Sequence, residues 1–229
     1  MKKLAIMISC IATILAGCNN AGSSVEKLKE ITYESINGHD YVDLGLPSGT
    51  KWATCNVGAN AIEEYGDYYA WGETTTKSSY TDDNCSTNRW RGGVEVHDIG
   101  GNPIYDVARD KWGSSWRLPT FSEAHELDDE CTWEYTTLNG INGAKVTGPN
   151  GNSIFLPAGG CRYYSRPGSE CGEGESGNFW TSTTSDERMK RKASCLYFYP
   201  EKWDGDVTVR NGLIGRERYE GYSVRPVSD

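Results

Sequence analysis

The sequence predicts an α+β domain of short antiparallel strands, two helices and long irregular loops. Three observations support this fold class. Short runs of alternating or β-branched residues are bounded by glycine, asparagine and proline, which is typical of strands joined by turns. Only two segments carry apolar residues at helical spacing. The chain also contains 27 glycines and 14 tyrosines but only 4 phenylalanines, which favours many turns and a core of amphipathic aromatic side chains.

The N-terminus is typical of an exported lipoprotein. Lys2 and Lys3 precede an apolar run over residues 4–15, which is shorter than the roughly 20 residues of a membrane-spanning helix and indicates a signal peptide. The Leu-Ala-Gly-Cys sequence that follows resembles the bacterial lipobox, whose cysteine is acylated; an ordinary signal peptide with a chance cysteine is the alternative. We expect lipidation of Cys18 and attachment to the membrane through its acyl chains.

Three segments are predicted along the chain: a signal peptide at residues 1–17, a flexible tether at 18–30 and one domain at 31–229. The tether is rich in small polar residues and has no apolar periodicity. Loss of the signal peptide removes two lysines and changes the formal net charge from −9 to −11, which argues against nucleic acid as a partner. We expect an outer-membrane location. The residues immediately after Cys18 lack the acidic character of surface-export signals, so both the surface and the periplasmic face stay open.

The strand predictions rest on alternation and turn residues. Residues 39–46 and 50–58 flank a turn at Pro47–Gly49. A meander is expected at residues 132–137, 144–148 and 152–158, with Asn-Gly pairs at 139–140, 142–143 and 150–151 as turns. Three further strands are expected at residues 178–183, 194–199 and 221–227. Because Pro226 lacks a backbone donor, the last strand should be short or lie at an edge.

Two helices are predicted between these strand groups. The first covers residues 104–113, with Ile104, Val107 and Ala108 at helical spacing and Gly113 at its end. The second covers residues 119–130, and a capping box of Thr120 and Glu123 marks its start. Its apolar face is expected to comprise Phe121, Ala124 and Leu127. His125 lies on this helix without a second histidine at i+4, so we assign it to a solvated face.

Signals for catalysis and cofactors are weak. The three histidines are scattered, no Cys-x-x-Cys spacing occurs, and neither a nucleophile elbow nor a phosphate-binding loop is present. We therefore expect no enzyme activity, no cofactor and no metal. Asp204 and Asp206 offer oxygen atoms that suit calcium, but a second ligand segment is missing and a simple turn is the alternative.

Six segments in order resemble one known family, the Fibrobacter succinogenes major paralogous domain of Bacteroidetes lipoproteins. They are DLGLPSGTKWATCNVGA, YGDYYAWGET, WGSSWRLPTFSE, CTWEY, NGNSIFLPAGG and YSVRPV, which together run from about Val42 to Val227. The resemblance implies a C-type-lectin-like fold, with a twisted antiparallel sheet, two helices and a long irregular excursion. It also implies a relation to the formylglycine-generating-enzyme group.

The cysteines suggest disulfide bonds. Beyond Cys18 their number is even in an exported chain, so several pairings are open from the sequence alone; they are Cys55, Cys85, Cys131, Cys161, Cys171 and Cys195. Cys55 and Cys131 lie inside the family-like segments, and the resemblance therefore favours a Cys55–Cys131 bridge. Cys161 replaces a residue that is commonly tyrosine in the family, and we expect it to pair with Cys171 across a glycine-rich loop.

A basic cluster stands out in this acidic chain. Arg188, Lys190, Arg191 and Lys192 follow Asp186 and Glu187, and a solvated loop is the simplest account of them. The resemblance places the cluster in a loop between two adjacent strands. We expect it to converge with two other segments into one face that binds an anionic glycan or an acidic protein. The two segments contribute Arg162, Tyr163 and Tyr164, and Lys202, Trp203, Arg210, Arg216 and Arg218.

The sequence thus favours a lipid-anchored, adhesin-like binding protein of the cell envelope that recognises a glycan or protein through its C-terminal loops. This expectation follows from the lectin-like scaffold that the resemblance implies, since loops held on a stable sheet carry recognition. The alternative is a structural subunit of a surface or fimbrial assembly. An enzyme of the formylglycine-generating-enzyme type is the third and least supported hypothesis.

Overall fold

The computed structural model describes residues 33–88, 92–164, 172–185, 191–203 and 206–229. They belong to one compact unit, Tyr33–Asp229. The strands are β1 (Glu34–Ile36), β2 (His39–Asp43), β3 (Lys51–Ala53), β4 (Thr132–Leu138), β5 (Ile141–Thr147), β6 (Ser153–Pro157), β7 (Gly177–Thr184), β8 (Lys192–Trp203), β9 (Asp206–Glu217) and β10 (Val227–Ser228). The helices are α1 (Val107–Trp112) and α2 (Phe121–Glu130), and a short 3₁₀ helix covers Asp82–Asn84.

The strands form three antiparallel sheets with the orders β1-β2-β3-β10, β4-β5-β6 and β7-β8-β9. The sequence predicted an α+β mixture with two helices, and this class is confirmed for the described residues. It predicted a single twisted sheet, whereas the strands separate into three. Between β3 and α1 the chain is irregular apart from the short 3₁₀ helix.

The first sheet joins the two ends of the unit. β10 pairs with β3, so that Val227 lies opposite Trp52, and β10 is a two-residue edge strand. The expectation drawn from Pro226 is therefore confirmed. The predicted strand at 221–227 is wrong in extent, because residues before β10 make only isolated bridges, such as Tyr69 with Tyr222 and Arg162 with Gly221.

The second sheet is the predicted meander. Asn139 and Gly140 both have positive φ, +48° and +86°, as a tight hairpin turn requires. The Asn142–Gly143 turn is wrong, since both residues lie inside β5 opposite Thr137 and Thr136. Glycine is needed there for another reason. A Cβ at Gly143 would lie 2.4 Å from Cζ of Phe155 on the neighbouring strand.

The third sheet contains a long hairpin. β8 and β9 pair over 12 residues each, from Lys192 opposite Glu217 to Trp203 opposite Asp206. β7 pairs with β8 only between Ala193 and Phe198. Beyond Phe198 the hairpin therefore continues as two strands without β7.

The helices begin where side chains cap them. In α2, Thr120 and Glu123 form the predicted capping box, and Ala124 and Leu127 are buried. Phe121 is 41% exposed, so its assignment to the apolar face is wrong. The first helix starts later than predicted, at Val107, and leaves Ile104 exposed outside it.

Asp106 explains the late start of α1. Its side chain is fully buried, and its Oδ1 accepts hydrogen bonds from the backbone N–H groups of Ala108 and Arg109 at 3.0 and 3.1 Å. Its Oδ2 accepts from Gly101 N–H at 2.6 Å and from Leu118 N–H at 3.0 Å. One carboxylate thus caps α1 and also holds the backbone at Gly101, before the helix, and at Leu118, after it.

Three buried tryptophans satisfy their indole N–H groups through backbone carbonyls. The second core cluster, which contains Trp71, Trp116 and Trp180, shows this in three places. The three indole N–H groups donate to the carbonyl oxygens of Thr181, Ile36 and Tyr69, at 2.8, 2.9 and 2.8 Å. The first core cluster is mainly aliphatic and lies among α2, β5, β6 and the Phe198 face of β8.

Arg225 is a fully buried cation between the sheets. Its guanidinium donates to the carbonyl oxygens of Ala53 and Thr54 at 2.9 and 2.8 Å and of Phe155 at 3.0 Å, and to Asn56 Oδ1 at 2.8 Å. Burial lowers the pKa of Arg225 to about 10. The residue therefore ties the end of β3 to β6 through neutral acceptors.

Glu123 gives the fold a defined acid sensitivity. Arg117 donates to both of its carboxylate oxygens, at 2.8 and 2.7 Å, and Thr120 N–H donates at 2.8 Å. Burial alone would raise the pKa of Glu123, but the hydrogen bonds from Arg117 and Thr120 outweigh it and bring the pKa to about 2. The charged carboxylate therefore stabilises the fold above its unfolded pKa, and this contribution is lost as the pH falls towards 2.

We predict that the free energy of unfolding falls by about 2 kcal/mol between pH 4.5 and 2 on account of Glu123, after a discount for solvent screening. Urea unfolding at a series of pH values measures this. Glu123→Gln should be less stable at pH 7 and should lose this part of the acid-induced fall. Glu130→Gln, an exposed residue of the same helix, is the control. If the free energy of unfolding of Glu123→Gln falls as much between pH 4.5 and 2 as that of the wild type, the prediction is contradicted.

Candidate functional site

A groove of about 790 Å³ lies along one face of the third sheet. Its lining combines aromatic rings with charges of both signs. The aromatic lining residues are Tyr163, Tyr197, Phe198, Tyr199, Tyr219 and Tyr222. The charged ones are Arg210, Arg216, Glu217 and Glu220. Such a lining can stack on flat or ring-shaped ligands and hydrogen-bond their polar groups.

Strand alternation places the tyrosines in the groove. Tyr197 and Tyr199 are alternate residues of β8 and therefore lie on the same face of the sheet, while Leu196 belongs to the first core cluster on the other face. The two rings are nearly parallel, with centroids 6.1 Å apart and planes at 17°. Tyr199 is 37% exposed. Together they form an aromatic surface along the strand.

The residues opposite these tyrosines on β9 differ in kind. Tyr199 lies opposite Arg210, and Tyr197 lies opposite Gly212. Gly212 has a φ of +154°, which a side chain would strain, and the Tyr197 ring lies within 3.5 to 3.7 Å of where its Cβ would be. The missing side chain at Gly212 therefore leaves room for the Tyr197 ring to lie over the strand.

Arg210 provides an accessible cation at one end of the groove. Its side chain is 57% exposed, and the nearest carboxylate is that of Glu201, with Nη1 and Oε1 3.8 Å apart. Such an exposed and distant ion pair contributes little to stability. The guanidinium also hydrogen-bonds the Tyr197 side chain, and its exposed part is available to an incoming carboxylate.

Arg216 and two glutamates occupy the other end. Arg216 makes no ion pair with a described residue, and its Nε is buried without a hydrogen-bond partner. Glu217 Oε1 lies 3.3 Å from Arg191 Nε in an ion pair, and its Oε2 is buried without a partner. Tyr222 Oη donates to Glu220, and burial raises the pKa of Glu220. This end therefore retains both donor and acceptor capacity.

The opposite wall comes from the segment before β7. Tyr163 packs edge-to-face against Tyr164, with centroids 4.4 Å apart, and lies 5.8 Å from the ring of Tyr219. Tyr164 exchanges backbone hydrogen bonds with Tyr80 at 2.8 and 3.1 Å. Cys161, which also lines the groove, is disulfide-bonded. The wall is therefore held in place by covalent and backbone contacts.

Three of the predicted ligand-binding residues line the groove: Tyr163, Arg210 and Arg216. Arg162 does not line it. Its guanidinium lies 3.8 Å from the ring centroid of Tyr68 and pairs with Glu173 at 3.0 Å. Tyr164 is 47% exposed beside Tyr163, outside the lining.

The prediction that Arg218 contacts ligand is wrong, because the residue is buried. It is only 3% exposed, its guanidinium lies 4.4 Å from the ring centroid of Trp71, and it donates to the carbonyl oxygens of Thr87 and Val96 at 3.1 and 3.2 Å. Arg218 is thus part of the core.

The prediction of a single basic face is also wrong, because the β8–β9 hairpin separates the residues assigned to that face. Arg191 and Lys192 lie at the base of the β8–β9 hairpin, whereas Lys202 lies near its tip. Ten residues of strand at about 3.3 Å each place Lys192 and Lys202 roughly 30 Å apart. Arg188 and Lys190 lie outside the described residues, as does the side chain of Trp203.

The predicted Cys55–Cys131 bridge is contradicted, since both cysteines are free thiols. Cys131 ends α2 and packs against the first core cluster, while Cys55 follows β3 beside the acceptors of Arg225. Cys161 is disulfide-bonded. Its expected partner Cys171 lies outside the described residues, so that pairing stays a prediction.

The sequence offers Asp204 and Asp206 as candidate calcium ligands. Asp204 and the side chain of Asp206 lie outside the described residues. Within the described part of the chain, His125, Asp128 and Asp129 bring ligand atoms within 4.8 Å of one another. His125 Nδ1 lies 2.8 Å from Asp129 Oδ2 on the helix surface, and Asn211 donates to Asp128 at 2.6 Å. The sequence assigned His125 to a solvated face, and its side chain is 45% exposed.

The sequence missed most of the groove. Tyr197, Tyr199 and Tyr219 carry its aromatic surface, and Glu217 and Glu220 its negative charge. The Tyr-x-Tyr spacing on a predicted strand is the one available signal, because it places both rings on one face. The partner residues on β9 follow only from the strand register.

Comparison with family models, with curated proteins and with solved structures gives no match for this chain. Among the described residues, none of the helices has the length and apolar character needed to span a bilayer.

Proposed function

We propose that this chain is a lipid-anchored binding protein of the bacterial cell envelope, adhesin-like, with its ligand site in the groove of the third sheet. The six family-like segments, which run through the described unit, support a C-type-lectin-like fold of the Fibrobacter succinogenes major paralogous domain type. The lipobox-like sequence at Cys18 supports anchoring to the outer membrane. The observation that carries the ligand-binding proposal is the groove itself.

The chemistry of the groove suits binding better than covalent catalysis. Its cysteine, Cys161, is held in a disulfide, and Tyr199 and Arg210 present a ring face and a guanidinium to solvent on paired strands. Arginine binds carboxylates through two parallel hydrogen bonds. A glycan or an acidic protein patch that carries carboxylates would therefore fit this surface.

We predict that Tyr199→Ala and Arg210→Gln each weaken ligand binding about tenfold, since stacking and charged hydrogen bonds contribute roughly 1–3 kcal/mol each. Glycan-array screening followed by titration of the best ligand measures this. Lys202→Gln, near the hairpin tip and outside the groove lining, is the matched control and should bind like the wild type. Equal affinity in all three variants would remove the groove from the proposal.

A structural subunit of a surface assembly is the second candidate, and the edge of β9 favours it. β9 is 12 residues long and, among the described strands, pairs only with β8, and Val207 and Ile214 on it are 51% and 42% exposed. An open edge of this length can accept a strand from another chain. Recovery of one stoichiometric protein partner, with an affinity unchanged by Tyr199→Ala, would favour this function over ligand binding.

A further inference from the structure

We infer that the groove takes an extended oligosaccharide with carboxylates on alternate rings, such as a chain of alternating uronic acids and neutral sugars, rather than a densely sulfated polyanion. This inference rests on the proposed binding function of the same groove and names its ligand class. It follows from the size of the groove, its aromatic surface and the balance of its charges.

The size of the groove excludes a small anion as its full occupant. Pockets of roughly 300–1,000 Å³ hold drug-sized ligands, and this groove measures about 790 Å³. A sulfate or phosphate ion would fill only a small part of it. A ligand of several linked rings is needed to contact both ends.

The aromatic surface fits consecutive sugar rings. Tyr197 and Tyr199 present nearly parallel rings 6.1 Å apart, arranged along the strand in the direction of the groove. Sugar rings have an apolar C–H face that packs on an aromatic ring and a rim of hydroxyl groups. Tyrosine matches both features, because its ring is apolar and its hydroxyl group hydrogen-bonds.

The charges of the lining favour a sparsely charged ligand. Arg210 and Arg216 are matched by Glu217 and Glu220, so the ionised lining has no net positive charge. A polyanion with sulfates on every ring would place negative groups beside both glutamates. A sugar hydroxyl can instead donate to the carboxylate groups of the glutamates that line the groove, Glu217 and Glu220.

The positions of the cations set where carboxylates bind. Arg210 and Arg216 are six residues apart on β9, or roughly 20 Å at about 3.3 Å per residue. Arg210, beside Tyr199, is the exposed one and can take a carboxylate in bidentate geometry. Arg216 lines the other end of the groove, is partly exposed and makes no ion pair with a described residue. A chain with carboxylates separated by uncharged rings or hydroxyl groups satisfies both.

Calorimetric titration with four probes tests the inference: a hexasaccharide of alternating glucuronate and N-acetylglucosamine, the same oligomer methyl-esterified, a heparin-derived hexasaccharide and inorganic sulfate. The glucuronate hexasaccharide should bind most tightly, and esterification should weaken binding at least about tenfold, as expected for loss of a charge-assisted hydrogen-bonded pair. Arg210→Gln should weaken binding of the acidic hexamer by a similar factor and leave the ester nearly unaffected. Lys202→Gln should behave like the wild type.

Tighter binding of the heparin fragment than of the glucuronate hexasaccharide, or equal binding of acid and ester, would overturn the inference. If another ligand binds and Tyr199→Ala abolishes that binding while Arg210→Gln does not, the carboxylate inference fails and the proposed function stands. If no ligand responds to Tyr199→Ala, both fail. Thermal melting of each variant establishes that it is folded.

Discussion

Replacement of Arg225 by methionine is expected to lower the free energy of unfolding by about 4 kcal/mol, or to prevent folding. The substitution relieves the desolvation of a buried guanidinium, and such replacements can be neutral when both partners of an ion pair become apolar. Here the partners are the carbonyl oxygens of Ala53, Thr54 and Phe155 and the side chain of Asn56. These acceptors remain buried, and each one left unpaired costs about 1–3 kcal/mol. The loss of hydrogen bonds therefore outweighs the gain.

Urea unfolding followed by tryptophan fluorescence measures this effect. Arg191→Met removes an exposed arginine at the base of the hairpin and should change stability by no more than about 0.5 kcal/mol. Arg225→Lys should fall between the two, because a single ammonium group cannot reach acceptors on both β3 and β6. A loss below about 1 kcal/mol in Arg225→Met would show that the buried network does not stabilise the fold as argued.

Asp106→Asn is expected to cost about 3 kcal/mol, although asparagine has nearly the same shape. Each carboxylate oxygen of Asp106 accepts from two backbone N–H groups. Asparagine keeps one acceptor oxygen and turns the other position into an amide donor. That donor must then face two N–H groups, either of Ala108 and Arg109 or of Gly101 and Leu118. Two buried donors lose their partner at about 1–3 kcal/mol each.

The shift in the midpoint of urea or thermal unfolding measures the cost of Asp106→Asn. Asp110→Asn is the matched control, since Asp110 lies on the same helix and pairs at its surface with Lys111. It should shift stability by a few tenths of a kcal/mol at most. Equal stabilities for the two asparagine variants would mean that the four hydrogen bonds of Asp106 contribute no more than a surface pair.

The elements that could be predicted from the sequence are those set by local chemistry. The capping box of α2 lies within four residues, Thr120–Glu123, and it is present as predicted. The turn at Asn139–Gly140 is likewise local. Asn142–Gly143 has the same dipeptide but serves a contact with Phe155 from another strand. No pattern within the segment distinguishes these two roles.

The candidate site was predicted only in part because it depends on strand register. Tyr199 faces Arg210 through pairing that a single sequence does not specify. Charge was also an unreliable guide to exposure. Arg218 and Arg225 both lie in the C-terminal segment and both are buried, since their guanidinium groups bind backbone carbonyls. The cysteines show the same limit, because similarity of segments did not predict which of them are neighbours.

The C-terminal segment has a consequence for how the chain folds. Tyr222 and Val224 complete one core cluster and Val227 the other, and the carbonyl oxygens of Val224 and Pro226 accept from the N–H groups of Val57 and Ala53. These contacts span more than half of the sequence, so their loop-closure entropy must be overcome before either cluster is complete. Folding should therefore be slow and late, with the chain open until its last residues are available. A chain that is still being synthesised would stay unfolded until its C-terminal segment is available.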